Sequence, residues 1–196
     1  MATDDFDRTD EDPLGSPWTD LGFAAGDTLR VVSNECGKGS GDGQGETCFY
    51  YSGAATTDNQ YAQQTVTTLG TLTDQGPAVQ VLSSGGENFY WFAGFSAEEQ
   101  IARFLAGNYS NIATLSISDI AADDVVRIEI DEDGNIEVFI NGSSGGTVTD
   151  ANITGGQPGI FVFEDNCRLD DWSGGDLGVA WPLTHRAVRP NTLLRM

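Results

Sequence analysis

Cations are scarce in this chain: nine Lys and Arg stand against thirty Asp and Glu, a formal charge of -21 over 196 residues. Phosphate backbones are bound by clustered cations, so the charge disfavours a nucleic-acid role, and neither nucleic acid nor an anionic membrane is an expected partner. Histidine is limited to His185, and no Gly-x-Ser-x-Gly elbow exists for it to serve, which leaves no basis for a Ser–His hydrolytic triad. Cysteine is limited to Cys36, Cys48 and Cys167, with no histidine near enough to complete a zinc set. Cys36 and Cys48 flank a flexible loop and would bridge if their strand ends met, but Cys167 would be left over, so free thiols are the expectation. No apolar run approaches the ~20 residues of a membrane-spanning helix. The N-terminus carries neither a basic region nor an apolar one of the secretory type. The expectation is a protein made and kept in a cytoplasm, or released by lysis.

What the chain has is glycine, 25 residues of it, between short apolar runs. That is the composition of many strands joined by tight turns. Strands are predicted over 28–34, 47–52, 60–69, 77–83, 88–95, 101–105, 112–117, 124–131, 136–141, 159–163 and 168–172. Only 96–105 has any helical propensity, and it reads equally well as a hairpin. The stretch 125–131 alternates apolar even positions with mostly polar odd ones, the period of a half-buried strand. A three-residue loop Asp133-Gly134-Asn135 would pair Ile130 with Val138 and Ile128 with Ile140, keeping both apolar sets on one face. Two-residue loops would set Ile130 against Glu137, which one inner face cannot accept.

Five stretches then follow one another in a telling order. They are Asp4-Asp5-Phe6-Asp7-Arg8 with Leu14-Gly15-Ser16 and Trp18, Gly76-Pro77-Ala78-Val79, Val138-Phe139-Ile140-Asn141-Gly142, Gln157-Pro158-Gly159-Ile160, and Arg168-Leu169-Asp170-Asp171-Trp172. Together they resemble the signatures of concanavalin A-like (LamG-like) jelly-roll domains, common in bacteriophage structural proteins and carbohydrate-binding modules. The resemblance covers residues 4–176. It implies an all-β fold, an antiparallel β-sandwich over 1–176, followed by an extended C-terminal tail over 177–196. Fold alone does not choose a function within this group. The short acidic chain with its apolar, basic tail looks like a noncatalytic phage virion protein, a capsid decoration subunit or a tail fibre or adhesin component. Its expected partners are other virion proteins, identical subunits or host-surface glycans. The alternative is a soluble carbohydrate-binding, lectin-like module; a glycoside hydrolase is a weaker one.

Candidate sites follow from the same residues. Aromatics cluster at 49–51 and 89–92, and alternation sends half of each cluster inward, leaving Tyr51 and Tyr90 as candidate sugar-stacking residues. If the first and last strands are neighbours, Asp4, Asp5 and Asp7 approach Asp170 and Asp171, a candidate structural calcium site; otherwise these acids cap turns and pair with Arg8 and Arg168. No other cofactor is implied. The alternation Glu129, Asp131, Asp133 looks like the acidic strand of retaining glucanases, but Asp133 falls in a turn, so solvent-face charge is the simpler reading. In the tail, Trp181, Leu183, Arg186, Arg189, Leu193 and Leu194 form a candidate docking segment for an acidic partner surface.

Overall fold

A computed structural model gives the fold and describes residues 1–23, 28–38, 44–70, 75–82, 84, 86–94, 98–164 and 166–178. Among them there is no helix. The fifteen strands are β1 (Ala2–Asp4), β2 (Trp18–Asp20), β3 (Leu29–Val32), β4 (Glu35–Lys38), β5 (Gln44–Tyr51), β6 (Gln60–Thr68), β7 (Gln75–Leu82), β8 (Asn88–Gly94), β9 (Glu99–Leu105), β10 (Asn108–Thr114), β11 (Val125–Ile130), β12 (Asn135–Ile140), β13 (Ser143–Thr149), β14 (Gln157–Glu164) and β15 (Arg168–Asp176). They form two antiparallel sheets. The eight-stranded one runs β13-β12-β11-β6-β15-β4-β3, with β1 added beside β15, and the seven-stranded one runs β10-β9-β8-β7-β14-β5-β2. The expected β-sandwich is therefore present, and its first and last strands are indeed neighbours, with Asp4 opposite Trp172.

The β11–β12 hairpin keeps the expected inward face but in a different register. Ile130 pairs with Ile136, Ile128 with Val138 and Val126 with Ile140, two residues away from the predicted pairing. A slip of two preserves every inward side chain, so alternation cannot discriminate between the two registers. The turn decides. Asp131 accepts hydrogen bonds on one carboxylate oxygen from the backbone N–H groups of Asp133 (3.0 Å) and Asn135 (2.8 Å). The left-handed residue is Gly134 (φ 79°) rather than Asn135, so the loop is 132–134. Glycine adopts that conformation at no steric cost.

Between the sheets, Ala62, Val66, Val126, Ile128, Ile130, Ile136 and Val138 face Val79, Tyr90, Phe92 and Ile101. A second inter-sheet cluster around Phe6, Trp18, Phe49, Ile160, Leu169 and Trp172 fills the other half. The seven-stranded sheet is also apolar on its outer face, where Cys48, Ala78, Phe89, Trp91, Ala102, Phe104 and Phe161 form a separate buried layer. Ala78 of β7 lies opposite Trp91 and Gly76 opposite Phe161, and these small residues let the two rings approach to 4.8 Å between centroids. The chain leaving β2 crosses this layer, and the Phe23 ring lies edge-on to Phe89 (5.7 Å) and Phe104 (5.1 Å). All of β8 is consequently buried on both faces. Cys36 belongs to the inter-sheet core and Cys48 to the outer layer, so the two are not bridged to one another.

Candidate functional site

The outer face of the eight-stranded sheet is polar, with one aromatic out of pattern. On β12 the even positions Ile136 and Val138 face inward, yet Phe139 at an odd position faces outward with Glu137. Register places Phe139 opposite Arg127 of β11, and Arg127 in turn opposite Gln63 of β6. One position along, Glu129 lies opposite Glu137 on one side and Tyr61 on the other. These rows enclose a groove of about 270 Å³ lined by Gln63, Val125, Arg127, Glu129, Phe139 and Gly142.

The side chains in it are held in place while leaving polar valences open. The Arg127 guanidinium lies 3.8 Å from the centroid of the Tyr61 ring and donates from Nε to Glu129 Oε1. Tyr61, beneath it, is 7% exposed. Among the described residues, no protein group pairs with Arg127 Nη1 or Nη2, with Glu129 Oε2 or with the Gln63 amide. A planar fork of donors, a carboxylate acceptor and an amide carrying both therefore surround an aromatic ring. Arg127 is balanced by Glu129, and Glu137 opposite Glu129 adds a further carboxylate to the same face, so the groove attracts no anion strongly.

The residues expected to carry sugar binding have other positions. Tyr90 is 0% exposed, and offers no face to a ligand; the expectation that it stands on an open sheet face is corrected. Its ring lies in the inter-sheet core because the third layer buries the opposite face of β8 as well. Its hydroxyl donates to Asp150 Oδ1 (2.7 Å) and accepts the N–H groups of Asn152 (3.1 Å) and Ile153 (3.0 Å). Burial, reinforced by the Asp150 carboxylate, pushes the Tyr90 hydroxyl well above its usual pKa. Burial pulls Asp150 upward, but bonds from Tyr90 and Asn152 and the nearby Arg103 hold it below the usual carboxylate range. This network latches residues 150–153 onto the sheet. Tyr51 is partly buried, with its ring stacked on Trp172 at 5.3 Å and 11° and edge-on to Trp18.

The terminal acids do come together. Thr3, Asp4, Asp5, Asp171, Trp172 and Ser173 line a pocket of about 330 Å³. Asp4, however, is committed to protein partners: the Trp18 indole N–H (2.7 Å), the Phe6 amide (3.0 Å) and Arg8. Burial, and the like charges of Asp171, Asp7 and Glu35, raise Asp170 above the usual carboxylate range. No group of three His, Cys, Asp or Glu side chains among the described residues is arranged to hold a metal ion. Of the glucanase-like acids, Glu129 is paired with Arg127, Asp131 caps the turn, and Asp133 lies within the turn. The docking residues Trp181, Leu183, Arg186, Arg189, Leu193 and Leu194 fall outside the described residues, and with them the basis of the virion-surface reading.

The groove was within reach of the sequence only through Phe139. An outward aromatic in an alternating strand marks a position that core packing does not explain. Its neighbours Gln63 and Tyr61 come from a strand over sixty residues earlier, which pattern alone does not align.

No protein-family profile matches the chain, and no curated protein matches it. Solved structures do. A carbohydrate-binding module, CBM66 from Bacillus subtilis, superposes with a TM-score of 0.61 at 15% identity over 81% of this chain and 93% of that one. The cellulose-induced protein Cip1 gives 0.61 at 17% identity over 93% and 100%. The exoplasmic/lumenal domain of VIP36, in a form bound to Ca2+ and Man3GlcNAc, gives 0.57 at 11% identity over 86% and 87%. At these identities the likeness is one of fold: the chain has the concanavalin A-like jelly-roll β-sandwich.

Proposed function

We propose that this protein is a noncatalytic carbohydrate-binding module, and that it holds a neutral glycan in the groove between Gln63, Arg127, Glu129 and Phe139. The observation that carries the reading is the set of unpaired Arg127, Glu129 and Gln63 groups around the outward Phe139 ring. A sugar ring presents hydroxyls that both donate and accept at its rim and C–H groups on its faces. Fixed donors and acceptors beside an aromatic ring satisfy both. The charge argues for a neutral ligand, since a protein at -21 repels acidic polysaccharides. The fold shared with CBM66 and VIP36 supports the same class of ligand.

Two variants test it, Arg127→Ala and Phe139→Ala, titrated calorimetrically with a panel of neutral oligosaccharides selected on a glycan array. Hydrogen bonds to a charged group contribute about 1.5–3 kcal/mol, so Arg127→Ala should weaken binding by about 10- to 100-fold. Phe139→Ala should cost about tenfold through lost stacking. Wild-type affinity in both folded variants, or no neutral glycan bound by the wild type, would rule the proposal out.

A further inference from the structure

The four outer edges of the two sheets are treated unequally. The outer edge of β3 is covered: Glu11 exchanges backbone hydrogen bonds with Val31 (3.2 and 3.0 Å), Leu14 N–H donates to Leu29 O, and Asp10, Glu11 and Asp12 bring charge to that side. β2 is three residues long and ends in Asp20. β10 and β13 lie in contact at the other side of the sandwich, each seven residues long, and neither holds a charged residue or a proline. The charge-free stretches are longer than the strands, running over 104–118 and 138–149. In a chain carrying thirty carboxylates this is a conspicuous gap. Exposed edges are ordinarily guarded by charge, proline or a covering segment, because unpaired N–H and C=O groups are a template for another strand.

β10 has a second feature. Tyr109 is 49% exposed, and apart from Met1 it is the exposed large hydrophobic residue among those described. It is nonetheless fixed, with its hydroxyl donating to Gln100 Oε1 (2.9 Å) and its ring 5.9 Å from Trp91 and 6.2 Å from Phe104. A rigid, half-exposed tyrosine loses little entropy when covered, which is why such residues anchor interfaces. A bulge between Asn111 and Ala113 confines the regular part of the edge to Asn108–Asn111.

We propose that β10 is the edge through which a second copy of this chain adds, antiparallel about a twofold axis, joining two seven-stranded sheets into one continuous sheet. An antiparallel pair about a twofold axis needs only the strand's own pattern. Charge selects the occupant. A cationic partner would be drawn to the carboxylate-rich faces, whereas a copy carrying the same -21 approaches with less repulsion along a strand that bears no charge itself. The inference is independent of glycan binding.

The test is sedimentation equilibrium of the full chain across concentration and ionic strength. A dimer is expected, and its association should tighten several-fold with salt, as the Debye length falls from ~30 Å at 0.01 M to ~8 Å at 0.15 M and screens the two acidic bodies. Ser110→Glu with Asn111→Glu places like charges across the axis and should weaken association by at least about tenfold, with the circular dichroism and urea midpoint of the wild type retained. Ser143→Glu with Thr147→Glu on β13 should leave the dimer intact. Should the β10 variant fold poorly, amide exchange of the wild type serves instead, with residues 108–111 gaining protection as concentration rises. A monomer at every concentration and salt, a dimer loosened by salt, or a dimer lost through β13 and kept through β10 would each overturn the proposal.

Discussion

Replacing Glu99 by Gln should stabilise the protein at alkaline pH and leave it nearly unchanged in acid. Glu99 opens β9 and is 2% exposed, with Oε1 accepting the backbone N–H of Ile120 at 2.8 Å. Its Oε2 is buried with no hydrogen-bond partner. Burial pushes the carboxyl up from 4.5 to about 7, with Asp119 and Asp124 adding to the rise and the Ile120 bond opposing it. The native state thus holds the proton more tightly than the unfolded chain. The stability this group contributes is fully present below about pH 4.5 and is lost as pH rises through about 7. At about 1.4 kcal/mol per pH unit the displacement corresponds to about 3 kcal/mol. Glutamine keeps the acceptor for Ile120 and cannot ionise. Urea unfolding of both proteins between about pH 4.5 and pH 8 reads the difference, which should grow from near zero to about 2–3 kcal/mol in favour of Glu99→Gln. A difference that is flat across that range would refute the account of Glu99 as a buried, proton-dependent contact.

Two further outcomes follow from the layers around β8. Tyr90→Phe removes one donor and the acceptor of two backbone N–H groups, so it should destabilise the protein by about 2–3 kcal/mol and speed amide exchange at Asn152 and Ile153; unchanged exchange there would contradict the latch. Phe23→Ala opens the aromatic layer over Phe89, Phe104 and Phe161, and should cost about 2–3 kcal/mol and raise binding of an apolar dye; a urea midpoint equal to wild type would mean that Phe23 covers nothing that matters to stability.

The strands richest in apolar alternation were readable in advance, and the quieter ones were not. Ser143–Thr149 carries Ser, Gly and Thr with a single valine, so β13 shows no period and forms because β12 offers it a ladder. β1, β2 and β4 are three or four residues long, too short for any pattern to register. At the β11–β12 hairpin, alternation gave the right face and the wrong pairing, because only the Asp131 turn distinguishes registers two residues apart. Tyr90 was misread for a related reason. Alternation assigns residues to two faces but is silent on whether both faces are covered, and Phe89 and Trp91 are as buried as Tyr90 and Phe92.

Composition and local pattern by themselves determined that this chain is all-β and which side of β11 and β12 faces inward. Those properties depend on neighbours within a few residues or on the sum over the chain, and both are written in the sequence directly. The groove depended on tertiary structure, because it needs β6 beside β11 at one register to bring Gln63 and Tyr61 to Arg127. So did the third aromatic layer, which forms where the chain leaving β2 carries Phe23 across the seven-stranded sheet. The commitment of Asp4 to Trp18 spans fourteen positions of chain and is settled by the same packing. Contacts between segments far apart in sequence are fixed by the packing of whole sheets, and no local periodicity encodes them.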